Sequence, residues 1–312
     1  MAGARFGVDN GTRPDQPVNV TALAPAKVNL GLEVVRRRDD GFHELRTIYC
    51  AVSVFDRIAI ETNAAGAELP PAPYGDSDLA QRAARQVETA FPGIAPLSVS
   101  VGKRIPVAAG LGGGSSDAGA VLVAAARLTS VKPPATPMQS IAESLGSDVP
   151  FAMVGGLAIG RGRGEVIEPL PFQPVHFVLV VSREILLDKT RTMFGALKKR
   201  DMSDGSSVEA LARGMAAGSR WSPIGALPNS FERAMFTAMG HLEPLKTALQ
   251  DVAERPVAMS GAGPTLFLTA TSARAALELR DRLRPVARRF ETVDLLVARS
   301  VPRVLIGDVI DG

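Results

Sequence analysis

The sequence predicts an α+β fold, and three observations lead to that class. Alternating, β-branched stretches typical of strands recur along the whole chain. Helical patterns separate some of them but follow no strict βαβ order, which favours α+β over a doubly wound parallel sheet. The chain has 312 residues, 46% of them hydrophobic, enough for two modest domains with cores of their own.

The first part of the chain is predicted to be mainly strands. Residues 1–17 are rich in Gly, Asp, Arg and Pro without periodicity and are interpreted as a mobile tail. Residues 63–76 are interpreted as a loop. The predicted strands are 18–24, 28–35, 45–62, 97–104 and a strand–turn–strand unit at 155–170. The predicted helices are 77–91, with Ser77 or Asp78 as N-cap, 114–130 and 138–145.

The second part mixes both element types behind a Pro-rich break at 171–174. That break suggests three units: a tail 1–17, an N-terminal domain 18–170 and a C-terminal domain 171–312. The predicted strands are 176–182, 257–260, 265–271 and 291–300. The predicted helices are 189–200, 206–217, 229–252 with a break near Gly240, and 273–286.

Composition excludes several classes of protein. A formal net charge of +3, with the basic run 36–38 ended by two aspartates, gives no reason to expect a nucleic-acid partner. Cys50 is the single cysteine, so there is no internal disulfide, and three scattered histidines do not suggest a zinc site. No apolar run reaches about 18 residues, the length needed for a helix that spans a membrane. We expect a soluble, cytoplasmic protein without a membrane partner; the composition does not fix its oligomeric state.

The segment PVAAGLGGGSSDAGA, residues 106–120, carries the strongest local signal. Four of the five residues 110–114 are glycine, between a predicted strand and a predicted helix that Ser115 and Ser116 could cap. Free N–H groups and the helix dipole favour an anion there, so the segment predicts a phosphate cradle. No Gly-Lys-Ser/Thr follows, which excludes a Walker A loop. The alternative is a flexible loop before a capped helix.

Two further segments turn this pattern into a family resemblance. PAKVNLGLEV (25–34) and MSGAGPTLFL (259–268), taken with the glycine segment, resemble the three signature motifs of the GHMP kinases. DGFHELRTIYCAVSVFD, LGSDVPF and GGLAIGRGRGE extend the resemblance over about residues 21–300. Within the family they point to the branch of the non-mevalonate isoprenoid pathway that acts on a cytidine-diphosphate-linked methylerythritol.

The resemblance implies a two-domain fold and a reaction. The N-terminal domain would carry the glycine loop and a left-handed βαβ crossover, and the C-terminal domain would be ferredoxin-like. ATP and the acceptor would lie side by side, and the γ-phosphoryl group would pass to the acceptor's 2-hydroxyl. Mg²⁺ is implied with ATP; its ligands stay open, with Ser115, Ser116 and Asp117 as candidates. The implied ATP-binding positions are Pro106, Ala108, Gly110, Gly112, Gly113, Gly114, Ser115 and Ser116.

The resemblance also assigns two catalytic positions. Asp148, in LGSDVPF, matches the family's base, although an aspartate before a helix is also a common N-cap. Lys27 matches the second catalytic position and would help to neutralise the transferring group. The alternative for Lys27 is a solvated strand position. Asn29, two residues along the same strand, should share its face and lie in the substrate site.

The resemblance implies that an aromatic–histidine pair binds the cytosine base of the acceptor. Phe42 would stack on the base, where the family more often has tyrosine, and His43 would read its polar edge. Phe194, with Thr190 nearby, is the candidate second ring; the alternative is an ordinary amphipathic-helix residue.

The third motif is expected to approach phosphate groups. Its turn residues Ser260, Gly261 and Gly263 are the substrate-binding candidates, and a plain β-hairpin is the alternative. Asn229, in PNSFE, matches a family asparagine.

Other functions remain open at this point. The chain could be a homoserine- or mevalonate-type GHMP kinase, although FHEL and GLGGGSSDA argue against that. It could be a non-catalytic nucleotide-binding regulator, although such a protein would be expected to lose Asp148 or Lys27. An RNA-binding module is disfavoured by the near-neutral charge.

Overall fold

The structure is a computed structural model that describes residues 19–62, 78–128, 136–186, 188–218, 227–302 and 310–311. The predicted tail 1–17, the loop 63–76 and the candidate cap Ser77 lie outside these ranges. Among the described helices, none is both long and apolar enough to cross a membrane.

An antiparallel six-stranded sheet forms the first layer. Its strands are β1 (Asn19–Arg37), β2 (His43–Thr62), β3 (Leu97–Gly102), β4 (Leu157–Arg161), β5 (Val166–Pro169) and β10 (Ile310–Asp311). The order is β10-β1-β2-β4-β5, with β3 also pairing β2. The prediction of separate strands at 18–24 and 28–35 was wrong, since β1 is continuous. A register shift between Pro25 and Ala26 accommodates the proline, which has no N–H for the ladder.

Four helices accompany this sheet: α1 (Leu79–Ala90), α2 (Gly113–Leu128), α3 (Thr136–Leu145) and α4 (Val149–Val154). Asp78 is the N-cap of α1, because its side chain accepts from the Ala80 N–H at 2.9 Å. Ala118, Val121 and Leu122 of α2 are fully buried in the core. Small residues on α2 let it approach α4 closely: a Cβ on Gly119 would lie 2.5 Å from that of Ala152.

A second antiparallel sheet has the order β7-β8-β6-β9. Its strands are β6 (His176–Ser182), β7 (Ala258–Met259), β8 (Leu266–Ala270) and β9 (Val293–Arg299). The helices of this part are α5 (Lys189–Ala196), α6 (Ser206–Ala216), α7 (Glu232–Ala238), α8 (Leu242–Ala253) and α9 (Ala273–Phe290).

Two helices end four residues away from their predicted ends. Helix α5 ends at Ala196 rather than 200, and a 3₁₀ turn follows at Lys199–Asp201. Helix α9 continues through Pro285 to Phe290. Proline removes one helical hydrogen bond, but the next turn buries Val286 and Ala287 in the core, which offsets that loss. The break near Gly240 is confirmed by the separation of α7 from α8.

The α+β class is confirmed by these elements. The domain boundaries and the handedness of the crossover stay predictions.

The middle of β1 is where the parts of the fold meet. The Lys27 N–H donates to Leu111 O at 2.9 Å, which attaches the glycine loop to β1. The Ser116 hydroxyl, on α2, donates to Pro25 O at 2.6 Å. From the second sheet, the Thr265 N–H donates to Ala109 O at 3.2 Å. These bonds place the loop between β1 and the turn that joins β7 to β8.

Candidate active site

A cavity of about 490 Å³ lies along the glycine loop. Every residue from Pro106 to Ser115 lines it, with Lys27, Asp117 and Asp148 in its wall. This volume is within the range of small-molecule sites, roughly 300–1,000 Å³. Helix α2 begins at Gly113, so the unpaired N–H groups of its first turn belong to the same loop.

Two glycines of the loop are required by close packing. Gly112 has φ +71°, and a Cβ there would lie 2.9 Å from Lys27 Cγ and Cε. Gly110 has φ +85°, and its Cβ would lie 2.3 Å from Gly263 O. A larger residue at 112 would displace Lys27, and one at 110 would separate the two loops.

Lys27, Asn29 and Asp148 come together at the cavity. Lys27 is only 9% exposed, and its Nζ lies 3.1 Å from Asp148 Oδ2. The same Nζ donates to Asn29 Oδ1 at 2.7 Å, so both side chains share one face of β1 as expected. Asn29 Nδ2 donates to Thr47 Oγ1 at 2.7 Å, and Thr47 Oγ1 donates to Gly31 O at 2.8 Å. This chain holds the amide oxygen towards the lysine.

Asp148 precedes α4, but its side chain makes no capping hydrogen bond. Its Oδ1 instead accepts from the Tyr49 hydroxyl at 2.9 Å. The Tyr49 ring is buried, stacks on Phe151 with centroids 4.7 Å apart, and lies 5.5 Å from Lys27 Nζ. Burial, and then the negative charge of Asp148, raise the pKa of Tyr49, so the hydroxyl keeps its proton and remains a donor.

Sequence reasoning missed Tyr49. The residue belongs to no motif of its own, and it reads as one more buried position of β2. Only the pairing of β1 with β2, which sets Tyr49 opposite Asn29, shows that it reaches the site.

The residues expected at the cytidine end form two separate contacts. The His43 and Phe194 rings are stacked with centroids 4.8 Å apart, and Phe231 meets Phe194 edge-on. Phe42 is 53% exposed and lies with its ring over the Arg163 guanidinium, 4.8 Å from the centroid. Burial and the charge of Arg37 lower the pKa of His43, which favours a neutral imidazole that can both donate and accept. Their roles in base binding stay predictions.

The third motif is connected to β1 and to the glycine loop by hydrogen bonds. Ser260 Oγ accepts from the Asn29 N–H at 3.2 Å and donates to Gly110 O at 3.4 Å. Asn229 Nδ2 donates to Met259 O at 2.8 Å and to Gly261 O at 2.9 Å, which fixes the turn. The segment is the turn between β7 and β8, but its polar groups are directed at β1 and the loop rather than only at each other.

A cluster of three charged side chains lies at the far side of the loop, and sequence reasoning did not predict it. Lys103 Nζ donates to Asp117 Oδ2 at 2.7 Å and also to Asp56, a fully buried carboxylate. Asp56 accepts in addition from the N–H of Ile105 at 2.8 Å. Burial raises the pKa of Asp117, and its Oδ1 has no hydrogen-bond partner within the described part of the chain.

The prediction that Ser115 and Ser116 could cap α2 was wrong. Because the helix begins at Gly113, both Ser115 and Ser116 lie inside its first turn rather than before it. The Ser116 hydroxyl proton is used on Pro25 O, whereas Ser115 faces the cavity. No group of three or more His, Cys, Asp or Glu side chains that could hold a metal occurs in the described ranges.

Comparisons with known proteins assign the sequence to a family. Residues 78–156 match the family described as GHMP kinases N terminal domain. The 4-diphosphocytidyl-2-C-methyl-D-erythritol kinase of Pelotomaculum thermopropionicum is 34% identical over 292 residues, covering 90% of this chain and 98% of that protein. The chain belongs to the 4-diphosphocytidyl-2-C-methyl-D-erythritol kinase family. The kinase of that name from Thermus thermophilus is 36% identical over 271 residues, covering 86% of this chain and 94% of the relative.

Solved structures agree with this membership. A crystal structure of 4-(cytidine 5'-diphospho)-2C-methyl-D-erythritol kinase aligns with TM-score 0.73 at 33% identity, over 89% of this chain and 98% of that one. Homoserine kinase from Cytophaga hutchinsonii aligns with TM-score 0.68 at 16% identity, over 96% of this chain and 99% of that one, which shows the shared fold alone. Membership of this kinase family implies ATP as the phosphate donor.

We predict that Gly112→Ala lowers ATP-dependent turnover by about 100-fold. The new Cβ displaces Lys27, the candidate second catalytic position, and a misplacement of about 1 Å in an active site can have that effect. The matched control is Gly240→Ala, because that residue does not line the cavity and its added Cβ would have nothing within 4 Å. Steady-state ADP release measures both variants. Equal turnover in the two would show that Lys27 does not depend on the loop for its position.

We predict that Tyr49→Phe lowers turnover by about 10-fold, because the variant loses the hydroxyl that donates to Asp148 Oδ1 and orients the carboxylate. The ring and its stacking remain, so the free energy of unfolding should change by only about 1 kcal/mol. Phe151→Leu, which removes the stacking and keeps the hydroxyl, is the control. Unchanged turnover in Tyr49→Phe would contradict a positioning role.

Proposed function

We propose that this chain transfers the γ-phosphoryl group of ATP to the 2-hydroxyl of 4-diphosphocytidyl-2-C-methyl-D-erythritol, a step of the non-mevalonate isoprenoid pathway. The observation that carries the proposal is the ion pair of Lys27 with Asp148 in the wall of the glycine-loop cavity. It occurs in a chain about one-third identical to kinases of that name over most of its length.

Asp148 is assigned as the group that accepts the proton of the acceptor hydroxyl. One oxygen is oriented by Lys27 and the other by Tyr49, so the carboxylate has a fixed plane. Each oxygen still has a lone pair that the hydroxyl can use. Lys27 carries the positive charge that offsets charge on the transferring phosphoryl group, and the loop N–H groups hold the phosphates in line.

Mg²⁺ fits the residues of the cavity without a dedicated protein cage. It binds nucleotide phosphates with several waters and one or two protein oxygens. Asp117, with its unpartnered Oδ1, and Ser115 are the groups that would hold it. When bound, the ion would supply positive charge that offsets the negative charge of the phosphates.

The acceptor specificity is assigned to the segment that contains Phe42 and His43. Phe42 presents an exposed aromatic face, while the neutral His43 is held by stacking on Phe194. A fixed imidazole with one donor and one acceptor is suited to reading the edge of a base.

We predict that Asp148→Asn retains its fold and ATP binding but loses about 10²–10⁴-fold in turnover, the usual contribution of a positioned proton acceptor. Asp251→Asn, on the exposed side of α8, is the matched control and should be unaffected. ADP release and product formation are measured with purified protein.

A folded Asp148→Asn variant with near-normal turnover would rule out this residue as the base. The same assay with homoserine or mevalonate as acceptor tests the alternatives. Turnover with either of these, and none with the cytidine-linked acceptor, would overturn the proposed function.

We predict that His43→Ala weakens the cytidine-linked acceptor selectively, whereas Phe42→Ala weakens cytidine- and uridine-linked acceptors equally. Stacking is worth about 1–3 kcal/mol for any base, while cytosine and uracil differ in the donors and acceptors at their edges. The measurement is kcat/KM for both acceptors in each variant. An unchanged cytidine-to-uridine ratio in His43→Ala would assign the edge to other groups.

A further inference from the structure

Lys189, the first residue of α5, joins the two loops that border the cavity. Its Nζ donates to Ala108 O at 3.0 Å and to Gly263 O at 2.7 Å. The first carbonyl belongs to the glycine loop and the second to the turn of the third motif. Lys189 itself lines the cavity that contains Lys27 and Asp148.

Within the described ranges the ammonium of Lys189 forms no ion pair, in contrast to Lys27 and Lys103, which each have at least one. Two of its three N–H groups are used on neutral carbonyls, which leaves one donor. Burial, and then the charge of Lys27, lower the pKa of Lys189 to about 8, and Asp148 acts in the opposite direction. Lys189 is therefore a cation that forms hydrogen bonds to neutral carbonyls but to no carboxylate of the described residues.

We propose that Lys189 binds a phosphate oxygen at the transfer centre, as a second cation beside Lys27. The inference rests on the proposed function and adds a residue to it. A phosphate between the two loops would supply the missing negative charge and satisfy the remaining N–H. The oxygen belongs either to the γ-phosphoryl group of the nucleotide or to the diphosphate of the acceptor, and the two sources can be separated by experiment.

The charged groups that face Lys189 give the binding a predictable pH dependence. Lys27 on β1 favours loss of its proton, and Asp148 before α4 favours retention. Lys103 and Asp117 line the same cavity and form a pair with each other. Because the free ammonium titrates at about 8, its contribution to phosphate binding is present at pH 7 and declines by pH 9. Binding of phosphate takes up a proton in that interval.

The test is titration calorimetry of AMP-PNP, ADP and CDP with the wild type, Lys189→Met and Lys189→Arg. Lys189→Met should bind its phosphate source about 10-fold more weakly at pH 7, the usual effect of losing a charged hydrogen bond. Loss for AMP-PNP but not ADP identifies the γ-phosphoryl group, and loss for CDP identifies the acceptor diphosphate. Lys189→Arg should retain affinity and lose the difference between pH 7 and pH 9, because arginine stays charged.

The matched control is Lys199→Met, which removes an exposed cation just beyond α5 and should leave all three affinities unchanged. If Lys189→Met melts at a lower temperature but binds all three compounds as the wild type does, the lysine only ties the loops and the inference is wrong. Wild-type turnover with ATP and the cytidine-linked acceptor is measured in parallel. Absence of that turnover refutes the proposed function itself, whatever the calorimetry shows.

Discussion

The burial of one charged side chain, Lys27, is the constraint on which the site depends. An ammonium 9% exposed is unfavourable unless it is paired and hydrogen-bonded, and Asp148 and Asn29 supply those partners. The lysine stem passes beneath the glycine loop, and there is space for it only because residue 112 has no side chain. The glycine run therefore has two roles. Its N–H groups face the cavity, and its lack of side chains leaves space for the lysine stem.

Three lysines line the same cavity, and their partners differ. Lys27 is paired with Asp148, Lys103 is paired with Asp56 and Asp117, and Lys189 has only carbonyl partners within the described residues. The charges are therefore unevenly placed, with an acidic excess near the start of α2 and a basic excess near the third motif. Under the proposed function this distribution would suit a polyphosphate, whose oxygens the lysines can bind, together with a cation, for which Asp117 is the candidate carboxylate.

Local signals predicted the parts of the site that belong to one segment. The glycine run, the strand positions of Lys27 and Asn29, and the cap Asp78 all follow from short patterns. Tyr49, Asp56 and Lys103 could not be predicted in this way, because strand pairing and the path of the loop bring them to the site from distant segments. The wrongly predicted ends of β1 and α9 have a similar cause. Strand β1 continues through Pro25 and helix α9 continues through Pro285, because tertiary packing overrides the local preference of proline.

Both oxygens of Asp148 are held, and this bears on how such a site would work. Lys27 lies against one oxygen and Tyr49 donates to the other, so the plane of the carboxylate is fixed. In phosphoryl transfer the transition state is loose, and there is little covalent chemistry for the protein to perform beyond alignment and charge stabilisation. A well-placed carboxylate is then more useful than a strongly basic one. The bracing of the loop by Ser260 and of the turn by Asn229 serves the same end, since alignment requires that the loop and β1 keep one geometry.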